Sequence, residues 1–189
     1  MSEKKRPPQD PAERAARNAD RKSSFGTTPD PWEVCARLEY GADRSFAWSV
    51  RQQVTSAPPE ERTRIEERLL KSLALPGVTE AGRAFLCQML ALVGSVKSVP
   101  VLAPLLRDPK STEAARYALH AIPGPEASAA LRDALGALTG EAKAGLIGSI
   151  ARRRDPAARE ALAALKNHAA EPAVVREAAA RALEHLATA

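Results

Sequence analysis

The chain has 189 residues, 44% hydrophobic and 27% charged, with a net charge of +5, the profile of one globular domain with a sizeable core. Aromatic residues make up only 4%, so the core has to be filled by leucine, alanine and valine, which suits close-packed helices and argues against a sheet protein. Two cysteines without CxxC spacing exclude a disulfide scaffold, no apolar run nears the roughly 20 residues that cross a bilayer, and no apolar run follows the N-terminal positive charges, so the expected location is cytoplasmic with no membrane contact.

Residues 1–29 hold seven positive and four negative side chains, with Phe25 the one large apolar group after Met1. Such a segment buries too little to offset its ordering entropy, so it is expected to be a disordered basic tail with a transient helix around Pro11 to Ala19. Its net charge of +3 leaves only +2 for the remainder, little for a domain that must neutralise several phosphates.

From Asp30 the pattern changes to short helices punctuated by proline, glycine and aspartate. Asp30-Pro31 reads as an N-cap followed by a first-turn proline, and Gly41 stops the helix carrying Trp32, Val34, Cys35 and Leu38. A second helix, about 43–56, places Phe46, Val50 and Val54 on one face. The rings gathered here, Trp32, Tyr40, Phe46 and Trp48, are expected to cap one end of a stack. A third helix, about 58–75, has a dry stripe of Ile65, Leu69 and Leu73 and i, i+4 pairs Glu60–Arg64 and Glu67–Lys71 on its wet side. The fourth, about 79–93, has Gly82, Phe85, Leu86, Met89, Leu90 and Val93 at strict helical spacing.

Beyond Gly94 the chain repeats itself. TEAGRAFLCQML (79–90) aligns with TEAARYALHAIP (112–123) at an offset of 33, EAKAGLIGSIAR (141–152) follows at 29, and Leu105, Leu135 and Leu165 lie 30 apart. One helix pair cannot bury its apolar stripe alone, whereas stacked pairs share a continuous core, so a period near 30 residues predicts an α-solenoid of about five pairs.

SVPVLAPLLRDPKSTEAARYALHAI and DPAAREALAALKNHAAEPAVVREAAARAL resemble HEAT repeats, in particular the short bacterial units grouped with phycobilisome lyase-type repeats. Asp108 and Arg116 match the turn aspartate and second-helix arginine of such units, and Arg83 and Arg176 match the arginine in other units. The likeness is good over 60–187 and loose over 30–59. Leu146 stands where the third unit would carry its arginine, and Glu171 where a turn aspartate belongs. The resemblance implies an all-α, armadillo-type right-handed superhelix whose second helices line the concave side, and it implies no particular activity.

Motifs for chemistry are sparse: there is no GxGxxG, GxxxxGK[ST] or HExxH, and GSVKS (94–98) lacks the preceding strand of a phosphate loop. His120, His168 and His185 lie in separate repeats, so neither metal nor cofactor is expected and the protein reads as a non-enzyme. On the second helices, Arg83, Ala84 and Cys87, then Arg116, Tyr117 and His120, then Gly145, Leu146 and Ser149 are expected to point outward. Tyr117 beside Leu146, flanked by arginines, would form a small apolar contact for a protein or peptide. Arg152, Arg153 and Arg154 form a basic cluster that supports an alternative, nucleic-acid binding together with the tail. A third alternative, a bilin-lyase-like accessory subunit, is implied only by the family resemblance.

Overall fold

The computed structural model describes residues 29–188. The tail up to residue 28, with its expected helix around Pro11 to Ala19, lies outside the described residues. Residues from Pro31 onward form one compact unit. Among the described residues there are ten α-helices and no strand: α1 (Pro31–Ala36), α2 (Ser45–Thr55), α3 (Pro59–Leu73), α4 (Glu80–Val93), α5 (Val99–Leu102), α6 (Thr112–Ala121), α7 (Pro125–Asp133), α8 (Gly140–Arg152), α9 (Arg159–Asn167) and α10 (Ala173–Ala187). No helix among them is long and apolar enough to cross a membrane.

Helix boundaries follow local chemistry. Pro31, Pro59 and Pro125 occupy first positions, where a missing N–H goes unnoticed. Thr79 caps α4 by accepting from the Gly82 N–H at 3.0 Å. α5 lasts four residues before the chain tightens into a 3₁₀ segment, Ala103–Arg107. Pro104 is the cause, since it has no N–H for the Pro100 carbonyl and cannot continue the α-helical ladder.

Each helix packs mainly against near neighbours in the chain. α1 meets α2, α3 meets α4, α7 meets α8 and α9 meets α10, while the even-numbered helices also touch in series, α2 to α4 to α6 to α8 to α10. The core runs along that series through Val50, Leu86, Leu90, Leu119, Ile147, Ile150, Ala179 and Leu186. All six residues expected on the α4 stripe are buried, as are Ala115, Ala118, Leu119 and Ile122 around α6. A further close approach outside this series joins α1 to α4. There the Thr79 N–H donates to the Ala36 carbonyl at 3.1 Å and its hydroxyl to the Leu38 carbonyl, and a Cβ on Gly82 would stand 2.1 Å from the Ala36 oxygen. Only glycine permits that contact.

Polar ties reach forward by 23 to 32 residues. Glu66, 2% exposed, accepts from the Ser95 N–H and hydroxyl and from the Ser98 hydroxyl in the turn before α5. Arg83 donates to Asp108 at 2.9 Å and to the Ser111 hydroxyl, in the turn before α6. Arg132 pairs with Asp155 in the turn before α9, and Lys143 with Glu171 in the turn before α10. Glu66, Asp155, Lys143 and Glu171 are largely shielded from water, so each stays satisfied only while its partner segment is in place, whereas the Arg83–Asp108 pair stays partly open to solvent.

Counted from the helix start, Arg83, Lys143 and Arg176 are each the fourth residue of their helix. Lys143 thus holds in α8 the place that Arg83 holds in α4, and Glu171 receives it as Asp108 receives Arg83, whereas Arg116 is the fifth residue of α6.

Candidate functional site

The exposed faces of the even-numbered helices gather most of the residues singled out from the sequence. On α6, Tyr117 is 54% exposed and directly follows Arg116. The Arg116 guanidinium is held by Glu113 on its own helix and by the Ser149 hydroxyl of α8 at 2.8 Å. It lies across Gly145, whose missing side chain leaves Nε room at 3.4 Å from the Cβ position. Arg116 thus presents a fixed cation beside a free phenol ring, stitched to the adjacent helix rather than to a turn.

His120 sits in the seam between α6 and α8. Its Nδ1 is buried with no hydrogen-bond partner. Burial first, then the positive charges of Arg152, Arg153 and Arg116, hold its pKa below the ordinary 6.5, against a backbone hydrogen bond at Ser149 that pulls the other way. The imidazole is therefore neutral near pH 7 and serves as a shape rather than a charge.

The arginine cluster divides into three different roles. Arg152 is exposed. Arg153, which follows α8, turns back and donates to the carbonyls of Leu119 at 3.1 Å, His120 at 2.9 Å, Ile122 at 2.5 Å and Gly124 at 2.7 Å, and to the Ser128 hydroxyl at 2.9 Å. One guanidinium thereby closes the C-terminal end of α6, whose last carbonyls have no partner within the helix. Arg154 is exposed at φ +53°, the left-handed conformation in which the chain leaves α8. Arg159, beyond the turn, donates to the Leu186 carbonyl at 2.6 Å. Arg153 is consequently unavailable as a surface contact, and the basic cluster expected from the sequence is reduced to Arg152 and Arg154.

Three other expected positions are also corrected. Leu146 and Ser149 on α8 and Cys87 on α4 are all 0% exposed rather than outward. α8 is packed by α6, α7 and α10 at once, which leaves Ala144, Gly145, Gly148 and Arg152 as its open side. Tyr117 therefore has no leucine beside it on the surface. Burial pushes the Cys87 thiol up to about 12, so it stays protonated and unreactive. Arg83 remains partly exposed while bound to Asp108. The carboxyl of Asp108 is held low by the Ser111 hydroxyl and the Lys110 N–H, with Arg83 adding to both.

Sequence reasoning missed one feature of this face. Trp48 on α2 is 72% exposed, whereas Trp32 is 2% exposed and roofed by Arg68, with the guanidinium carbon 4.9 Å from the ring centre. The two tryptophans expected together in a cap thus differ entirely in access. The signal was present in the spacing: Phe46, Val50 and Val54 mark the inner side of α2, and position 48 lies off that side. No protein-family model, curated protein or solved structure matches the chain.

Proposed function

We propose that this protein is a non-catalytic interaction module, a HEAT-like α-solenoid of five helix pairs that holds a protein or peptide on the face of its second helices. The pairs are α1/α2, α3/α4, α5/α6, α7/α8 and α9/α10. The serial contacts of the even helices and the forward polar ties support a stack in which each unit rests on the next. The observation that carries the functional reading is Tyr117, half exposed on the central second helix beside an arginine already fixed by two partners. A large amphipathic ring with a pre-ordered cation next to it gains contact area at small entropic cost.

Nucleic-acid binding through Arg152, Arg153 and Arg154 is the weaker reading, because Arg153 is consumed by five internal hydrogen bonds and too few cations remain there to displace several counterions. Alanine substitution of Tyr117 together with Arg116 is expected to abolish partner capture while the far-ultraviolet circular dichroism stays helical. Capture that survives the double substitution removes this face from consideration.

A further inference from the structure

The surface around Trp48 is the largest apolar exposure on the second helices, and its neighbours carry a charge. Arg44, Trp48 and Arg51 are spaced by four and three residues, so they share one side of α2. Neither arginine makes an ion pair or a side-chain hydrogen bond among the described residues. From Arg44 through Pro59 the chain has no acidic residue. Asp43 just before it is spent on the Ser45 N–H at 3.0 Å and the Ser45 hydroxyl at 2.6 Å. Between α2 and α4 lies a cleft of about 370 Å³ lined by Arg44, Ala47, Trp48, Arg51, Phe85 and Gln88, a size that admits an apolar side chain. A shallower hollow continues on the other side of Trp48 past Ser49, Gln52 and Thr55.

Resting on the reading that the second-helix face takes a peptide, we propose that α2 docks an acidic segment of a partner protein, with an aromatic or aliphatic side chain in the cleft between Trp48 and Phe85 and its carboxylates on Arg44 and Arg51. Charge selects this occupant over two others. Residues 1–29 of the same chain carry a net +3, the wrong sign to complement two arginines. A second copy meeting this face symmetrically would set Arg44 and Arg51 against their own equivalents. The domain's small net charge weighs against a nucleic acid, which needs a longer track of cations.

The two tryptophans make the test direct, since only Trp48 is open to a quencher. The full chain is used to select 12-residue peptides from a random phage-displayed library, and the enriched peptide is synthesised with its amide (Gln/Asn) counterpart and compared with a twelve-nucleotide oligothymidine. The expected result is enrichment of acidic peptides with one large apolar residue, which shield Trp48 from acrylamide on binding. Trp48→Ala weakens their binding at least about thirty-fold, as loss of a central anchor does. Arg44→Glu with Arg51→Glu weakens it comparably, the amide peptide binds poorly even to the unaltered protein, and Trp48→Phe restores most of the affinity. Because all three residues are exposed, the variants are expected to keep their helicity, which circular dichroism checks. Enriched peptides that are neutral or basic, or that bind with Trp48 still quenched, overturn this site and leave the broader peptide reading standing. Failure to enrich any peptide overturns both. Tighter binding of the oligothymidine than of the acidic peptide overturns the proposal in favour of a nucleic acid.

Discussion

Arg153→Ala is the most informative single substitution for how the helices are held together. The guanidinium serves four carbonyls and one hydroxyl, drawn from α6, the turn after it and α7. A hydrogen bond to a charged group contributes about 1.5 to 3 kcal/mol. Five bonds sharing one cation do not add, and truncation lets water reach some of the released carbonyls. The charge also faces the negative end of the α6 dipole, worth up to about 2 kcal/mol when partly buried. Together these set an expected loss of about 3 kcal/mol, or roughly 6 to 12 °C in melting temperature for a domain of this size. Lysine offers the charge without the planar fork and is expected to recover less than half. Urea denaturation followed by circular dichroism measures both, with the slope checked for constancy. The adjacent Arg154→Gly is the control with opposite sign, since glycine relieves φ +53° and is expected to stabilise by about 0.5 to 1 kcal/mol. A loss below about 1 kcal/mol for Arg153→Ala, or equal effects at the two arginines, would refute the reasoning that the cluster is split between interior and surface.

Other perturbations probe the joints between helices. Lys143 and Glu171 are nearly buried, with side chains 7% and 15% exposed. Lys143→Ala alone is therefore expected to cost about 3 to 5 kcal/mol, and Lys143→Met with Glu171→Leu to be close to neutral, in the same denaturation assay. Gly82→Ala places a Cβ 2.1 Å from the Ala36 oxygen, which must push α1 from α4; a loss of about 3 kcal/mol is expected, with a rise in Trp32 quenching by acrylamide as α1 loosens. His120 binds its proton less readily when folded than at its ordinary 6.5. Below about pH 6.5 the unfolded chain takes up that proton first, so this group's contribution to stability is lost as pH falls toward the folded value. Stability measured from about pH 7 to about pH 5 is accordingly expected to fall more steeply in the parent protein than in His120→Gln.

How much of this was legible beforehand differs from helix to helix. The burial of α6 follows from apolar spacing, because that helix has one dry side and the spacing states which; on α4 the six expected residues are buried, but so is Cys87, because α1, α2, α3 and α6 all pack on that helix. α8 defeats the same reasoning. It is packed from three directions, so Leu146 and Ser149 are buried although they fall off the stripe that contains Ile147. The polar ties were half legible: Arg83 and Asp108 were each singled out, though not as partners, while Lys143 was hidden because the apolar spacing of α8 aligned better at a different register. The reach of Arg153 to carbonyls 29 to 34 residues upstream could not be read at all, since it depends on where two helix ends meet in space. From the sequence, three consecutive arginines look alike. Only the fold ties one to the end of α6 and leaves two free on the surface.

The central claim, that the second-helix face is where a partner binds, is tested most directly by placing a benzophenone photo-crosslinker at one position at a time in the source cells. The positions are Tyr117 on α6, and Val101 on α5 and Glu160 on α9 as exposed sites on first helices. A discrete adduct from position 117, with little or none from 101 and 160, is the predicted result. Adducts of equal yield from all three positions, or from the first helices only, would contradict it.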